Sequence, residues 1–316
     1  MADNATSNRV ALRYVKEDTP GQTPANPAFI DIRYTGESIE FNRTSTTSKE
    51  IRDDRMTADL IPVKASSGGD INVELSAASF DDFIEALLCG TWGAPVGGVS
   101  TLKNGVTNRS FTVQKHFQDM VPNVYTTFVG QRVNDMSLDV KVGAILTGKF
   151  GFMGRSVSSN NAQIAGASIV TASTNTPMNA ISNLTDITEN GSTSVAAYKS
   201  LTLNVNNNCR EQDAIGSLFP IDIVTGTLDV SGNIEMYFSD LTMYNRFVND
   251  TSFAYSFKTM DADGNYYVWT IPSMKIDTAK IESGGLDTDI MMSGTWKAIY
   301  DPTSGCMIQV DRYLVA

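Results

Sequence analysis

The residues of this chain whose types could do chemistry are few and scattered. His116 is the single histidine among 316 residues, and the three cysteines, Cys89, Cys209 and Cys306, lie far apart. An imidazole can act as a general base near neutral pH. Lys115 beside His116 makes a surface strand position the simpler reading. The cysteines form no CxxC pair and are odd in number, which disfavours a zinc ribbon or a disulfide framework. No GxSxG, GxGxxG, Walker A or HExxH occurs. Asp261-Ala262-Asp263-Gly264-Asn265 resembles the opening of a calcium loop, but an EF-hand would need Gly at Tyr266 and Glu at Pro272. Asp, Gly and Asn tolerate positive φ, so this stretch predicts a hairpin turn between Phe257 and Trp269. Triplets such as Asn42-Arg43-Thr44 are expected by chance in a chain rich in Ser, Thr and Asn. The sequence therefore predicts no enzyme, no cofactor and no metal site.

A second set of polar residues is patterned rather than clustered. Glu40, Glu74, Asp139, Asp229 and Glu235 lie on strand-like runs whose alternate positions are apolar. Their face is either a solvated exterior or the bore of a tube closed by several subunits, and pattern alone does not separate the two. Lys plus Arg is 24 and Asp plus Glu is 35, for a formal net charge of −11. Gripping nucleic acid depends on clustered cations that release counterions, so that class is disfavoured. The polar start of the chain is unlike a signal peptide, and no run of about 18 apolar residues exists to span a membrane. A soluble protein kept in a reducing cytoplasm is expected.

The elements that must position these residues read as mainly β. Ile71, Val73 and Leu75 alternate with polar neighbours, as in a half-buried strand. Ser79 stands where an N-cap belongs, with Asp81 and Asp82 in the first turn. Phe80, Phe83, Ile84, Leu87 and Leu88 follow at helical spacing, and Gly90 offers a stop.

The same pattern returns 163 positions later. Gly69-Asp70-Ile71-Asn72-Val73-Glu74-Leu75-Ser76 aligns without a gap on Gly232-Asn233-Ile234-Glu235-Met236-Tyr237-Phe238-Ser239. Ile234, Met236 and Phe238 take the inward places. Leu241, Tyr244, Phe247 and Val248 then supply a short amphipathic helix. Ser110-Phe111 and Ser252-Phe253 open the next strand of each copy. Hence the expected core is Ile71, Val73, Leu75, Phe80, Phe83 and Leu87 in one copy, and Ile234, Met236, Phe238, Tyr244 and Phe247 in the other. The predicted organisation is an extended N-terminal arm (1–29), a first module (30–154), a Ser/Thr/Asn-rich linker or insert (155–198), a second module (199–300), and a C-terminal tail or strand (301–316). The last, Met307 to Val315, is either a final strand or one donated to a neighbour.

Several phrases, in order, carry a resemblance over nearly the whole chain. They are Glu17-Asp18-Thr19-Pro20-Gly21 with Pro24-Ala25-Asn26-Pro27-Ala28-Phe29, Ser48-Lys49-Glu50-Ile51-Arg52-Asp53-Asp54-Arg55, and Gly69-Asp70-Ile71 leading to Glu74-Leu75-Ser76. Asn207-Asn208-Cys209-Arg210, Asp261-Ala262-Asp263-Gly264-Asn265 and Asp301-Pro302 follow. Cys209 stands where an apolar residue such as Leu is expected. The chain resembles the major tail tube proteins of long, non-contractile-tailed bacteriophages.

That resemblance implies a structural protein of two duplicated tail-tube β-sandwich or barrel modules, each with a flanking short α-helix. Rings stack into a hollow tube, and strands of neighbours join into one inner barrel. Two modules per chain imply trimers with pseudo-sixfold symmetry. A long loop in each module, 42–68 and the shorter 206–224, is implied to reach the next ring, with Arg43, Lys49, Glu50, Arg52, Asp53 and Arg55 as candidates. Glu40, Glu74, Asp139, Asp229 and Glu235 are the candidates for the lumen. The implied partners are further copies, the tape measure protein during assembly, tail terminator and tail tip proteins, and phage DNA passing without sequence-specific binding. The implied place is the virion tail, assembled in the host cytoplasm. The competing expectations are a capsid decoration or baseplate protein, and a carbohydrate-binding module using Trp92, Trp269 or Trp296, although the latter two lie in strand-like runs suited to core or interface.

Overall fold

The computed structural model describes residues 4–179, 186–194 and 196–315. Strands dominate these residues, and two short helices, α1 (Asp81–Leu87) and α2 (Thr242–Val248), flank them. One continuous antiparallel sheet of eight strands forms the polar layer. In chain order these are β1 (Glu40–Thr47), β2 (Leu60–Glu74), β3 (Val124–Lys141), β4 (Thr147–Gly154), β5 (Tyr198–Asn206), β6 (Asp229–Tyr237), β7 (Tyr266–Glu282) and β8 (Met291–Ala298). Their spatial order is β1-β2-β4-β3 followed by β5-β6-β8-β7. The two halves therefore have the same connectivity, and β3 and β5 join them side by side.

The long strands β3 and β7 each serve two layers. Residues 124–131 of β3 pair with Phe111–Phe117, and residues 266–274 of β7 pair with Phe253–Met260. Each strand then continues into the eight-stranded sheet, a way of turning a sandwich corner. Gly69 and Gly232 mark one close approach in both halves. A Cβ on Gly69 would lie 2.2 Å from the Ser38 carbonyl oxygen, and one on Gly232 would lie 2.0 Å from that of Thr202. Only glycine lets the backbones pass at these equivalent places.

The core lies between the layers and under α1. Phe83 packs against Tyr14, Phe111, Phe150 and Phe152, with ring centroids 4.6–5.6 Å apart. Of the residues expected in the core, Ile71, Val73, Leu75, Phe80, Phe83, Leu87, Ile234 and Met236 are buried, whereas Phe238, Tyr244 and Phe247 are half-buried. Met243 is the buried residue of α2, and Leu241 and Val248 are exposed. Trp269 and Trp296 are buried, so neither offers a sugar-stacking platform. Trp92 is half-buried beneath the Arg312 guanidinium at 4.6 Å.

Several local expectations change. Ser79 does not cap α1: Phe80 is the N-cap, and the Ser79 hydroxyl pairs with that of Ser76 at 2.7 Å. The left-handed residue ending α1 is Cys89 (φ 48°), not Gly90. Within the segment expected as an extended arm, Val10–Lys16 is a strand paired along its length with Phe111–Phe117. Its alternating side chains Leu12 and Tyr14 enter the core. The expected linker also joins sheets: Ser156–Asn160 pairs with Tyr125–Val129, and Ser168–Val170 runs parallel to Ala28–Ile30. Residues 180–185 and 195 of that segment lie outside the described residues, as do 1–3 of the arm and 316 of the tail. The C-terminal strand, Gln309–Tyr313, stays in its own chain between Val99–Lys103 and Tyr266–Thr270.

Candidate functional site

The candidate residues for chemistry are each held by structural contacts. His116 stacks on Tyr125 at 4.3 Å, and its Nδ1 lies 3.3 Å from Arg13 Nη1. Burial and the Arg13 charge push the imidazole pKa down. Lys115 pairs with Glu37 at 2.6 Å. All three cysteines are free thiols, and burial pushes Cys89 up and Cys209 up to about 11. At neutral pH Cys89 and Cys209 are therefore weak nucleophiles. Asp261 accepts the backbone N–H groups of Asp263 and Asn265, both at 2.9 Å, and the Asn265 amide at 2.7 Å. That carboxylate is committed to the turn between Phe253–Met260 and β7. Among the described residues no three His, Cys, Asp or Glu side chains converge as a metal site.

The patterned carboxylates come together on one sheet. Residues directly opposite in an antiparallel ladder point to the same side. Glu74 stands opposite Thr147, Thr147 opposite Asp139, and Asp139 opposite Thr202. Asp229 stands opposite Asn206, Glu235 opposite Ser200, and Glu40 opposite Gly68. All five share the polar side of the eight-stranded sheet, because their strand neighbours such as Val73, Leu138, Val230 and Ile234 fill the other side. Ser137, Asn204, Ser231, Thr295 and Ser293 continue this face.

The face also carries cations that alternation alone does not single out. Lys149 on β4 lies 3.2 Å from Asp70 and 3.6 Å from Asp135, on the two adjoining strands. Burial opposes its charge, but the Asp70 hydrogen bond and the Asp135 field outweigh it and raise its pKa. Lys199 pairs with Glu235 at 3.3 Å. Lys275 and Lys297 stand opposite each other on β7 and β8. The face is thus a mixed-charge and hydroxyl-rich surface rather than an acidic sheet.

Two ladder edges of this sheet remain unpaired among the described residues. One is Gly36–Glu37 with β1, bonded only to β2, and the other is 275–282 of β7, bonded only to β8. Beyond the sandwich, β1 and the start of β2 form a projecting arm. Arg43, Lys49, Glu50, Arg52, Asp53 and Arg55 are all exposed on it, and Arg52 is paired with Asp54 at 3.0 Å. Phe41, Ile51, Met56, Leu60, Ile61 and Val63 are also exposed there. The second long loop carries a small hairpin, Arg210–Gln212 with Asp222–Val224, and leans on the first arm. Lys64 holds Glu211 and Asp213, both at 2.6 Å, and the Ala65 N–H donates to the Leu218 carbonyl at 2.8 Å.

Open sheet edges and apolar arms on an otherwise well-packed β-protein point to association rather than catalysis. The phage tail tube protein family model matches residues 7–298 of the chain. This chain belongs to the phage tail tube protein family. A search of curated proteins gave no match. A tail tube subunit is a structural component of the phage tail, and the family is not an enzyme family. The family assignment carries self-association into a tube with it. Among the described residues no helix is long and apolar enough to cross a membrane.

Proposed function

We propose that this tail tube subunit closes with copies of itself into rings, with the polar face of the eight-stranded sheet lining the bore. The observation that carries this reading is the seam between β3 and β5. There Asp135–Lys141 pairs with Ser200–Asn206 in seven consecutive places. It joins the last strand of one half to the first strand of the next. The equivalent edges at the two ends of the chain, 36–47 and 275–282, are left open. Closing them between copies repeats the seam. Three copies give six halves and a barrel of twenty-four strands, a trimer with pseudo-sixfold symmetry. The two halves then represent one duplicated module.

In this arrangement the arm around 42–68 and the loop 206–224 reach the adjacent ring. The tube forms around a tape measure protein, ends on terminator and tip proteins, and later conducts DNA from a long, non-contractile tail into the host. A wall on which Lys149 and Lys199 are held by carboxylates gives phosphates fewer free cations, so DNA passes without tight binding. Electron microscopy of the purified chain tests the reading by its product, hollow cylinders rather than isolated oligomers. Native mass spectrometry of rings is expected to give three chains. Rings of six chains would sink the pseudo-sixfold proposal.

A further inference from the structure

One corner differs between the two halves. In the first half, Met178 from the segment 155–198 is wedged between Leu75 and Leu146. Its N–H donates to the Leu75 carbonyl at 2.8 Å, and its carbonyl accepts the Leu146 N–H at 2.9 Å. The Leu75 N–H donates in turn to the Leu146 carbonyl at 2.9 Å. Bridges Ser76–Pro177 and Ile145–Asn179 flank the wedge, and Leu75, Leu146 and Met178 are all buried.

In the second half, Phe238 takes the place of Leu75, and its N–H donates to the Ile290 carbonyl at 3.0 Å. There the correspondence stops. Among the described residues nothing pairs with the Phe238 carbonyl or the Ile290 N–H. The surroundings are apolar and open: Ile290 is 46% exposed, Leu241 53% and Tyr237 43%. Met236, Phe238, Met243 and Met292 line a small cavity beside them. A donor and an acceptor that are unpaired among the described residues, next to uncovered apolar surface, form a slot for one extended residue.

The first half also indicates which segment fits. Met178 stands ten positions before Thr188, in the stretch leading into the second half. Thr188 and Glu189 pair with Ser256 and Tyr255 as Arg13 and Tyr14 pair with Gln114 and Val113. Ten positions before Arg13 is Asp3. Within its own copy the chain is already tied down just after that point. Thr6 and Arg9 both bond to Asp119, at 3.2 and 2.9 Å, on the first half. Around a ring of alternating halves, the segment leading into each half meets the slot of the half before it. After a second half comes the first half of another copy.

We infer that residues 1–5 of a second copy enter the slot between Phe238 and Ile290, as Met178 enters the slot between Leu75 and Leu146. This surface rests on the ring reading above and deepens it, because it gives a chain-to-chain lock separate from the edge pairing of the sheet. Ser76–Pro177 translates to Ser239 of one copy opposite Ala2 of the next, and bridged positions of this kind are close enough for a disulfide.

The test uses assembled tubes of the full chain carrying Ala2→Cys with Ser239→Cys. After oxidation, non-reducing gels are expected to show covalent chains of two and three copies, which neither single variant gives. A chain that assembles tubes yet stays monomeric on the gel, or that bridges within one copy, overturns the inference while leaving the ring reading standing. Absence of tubes from the unaltered chain overturns both. A second readout needs no new cysteine. Hydrogen exchange at the Ile290 amide is expected to slow at least tenfold on assembly. Removing residues 2–5 should abolish that protection in the tubes that still form, and protection that persists without them overturns the inference.

Discussion

Leu203 stands directly opposite Leu138 across the seam between β5 and β3, and both side chains are buried. This contact is where one half closes the open edge of the other. Leu201 and Val205 flank it opposite Val140 and Met136, also buried. The seam thus combines ladder hydrogen bonds with a continuous apolar stripe. Replacing Leu203 with Ala removes buried volume that neighbouring strands only partly refill. A loss of about 2–5 kcal/mol is expected. Urea denaturation of the unassembled chain measures it, and a loss under about 0.5 kcal/mol, the range of ordinary surface changes, contradicts the seam's structural role.

Phe41 occupies the place on β1 that Val205 holds on β5, but it is 40% exposed and lies at an open edge. Among the described residues its one ring neighbour is Phe219, at 6.2 Å. Phe41→Asp should therefore change folding stability by less than about 1 kcal/mol, as exposed substitutions do. Assembly should fail, because a carboxylate then sits where the next copy's apolar stripe must pack. Sedimentation of the variant is expected to show monomer where the parent gives tubes. Normal tubes from Phe41→Asp would exclude this edge as the joint.

How far this arrangement could be read in advance depends on the range of the interaction. The alternation of Ile71, Val73 and Leu75, repeated at Ile234 and Met236, reports which side of a strand is buried, because that signal is local. Helices α1 and α2 were legible for the same reason. Strand partners are not encoded in alternation. Nothing in Val10–Lys16 names Phe111–Phe117, about a hundred positions away, and the prolines that follow suggest only an extended arm. Met178 sits in a stretch of small polar residues with no periodicity, so its burial depends wholly on the tertiary slot. The common face of Glu40, Glu74, Asp139, Asp229 and Glu235 follows from the period of two. The lysines that answer them do not, since Lys149 finds Asp70 and Asp135 only through cross-strand pairing.

Charge on the polar face gives a third expectation. Glu74, Asp139 and Asp229 form none of the ion pairs seen among the described residues, so reversing them to Lys breaks no salt bridge. Tubes should still form. In the proposed ring each reversal adds a free cation to the bore, and phosphates are drawn to it within a screening length of about 8 Å at physiological salt. DNA release from phage carrying the triple variant is expected to slow, and to recover towards the parental rate as salt is raised. An unchanged rate at low salt would remove these residues from the bore.

Asp81 at the start of α1 links distant parts of the chain. It accepts Tyr267 Oη–H and Arg312 Nη1–H, each at 2.5 Å, from β7 and the C-terminal strand. Burial nonetheless raises its pKa above the ordinary carboxylate value. Arg312→Ala leaves that carboxylate buried without its cation, a change that typically costs about 3 kcal/mol or more. The sign of the pH dependence follows. In the variant the folded-state pKa rises further above the unfolded value, so the folded chain takes up a proton first as pH falls. The stability gap between variant and parent should therefore narrow from pH 7 towards pH 5. A gap that stays constant across this window would mean that Arg312 acts through packing on Trp92 and not through Asp81.

His116 has the opposite sign. Burial and Arg13 hold its folded-state pKa below the ordinary histidine value, so the unfolded chain binds a proton more readily. Stability from this residue is complete above the unfolded value, about 6.5, and is lost as pH falls through and below it. Arg13 faces Nδ1 and Tyr125 covers the ring, and the Asn123 hydrogen bond, which favours the charged form, does not outweigh them. Glu37 is already engaged by Lys115. His116→Gln keeps a polar side chain of similar reach but has no proton to gain. Its melting temperature should fall less than the parent's between pH 7 and pH 5. Parallel slopes for the two chains would show that His116 is not held neutral by the fold.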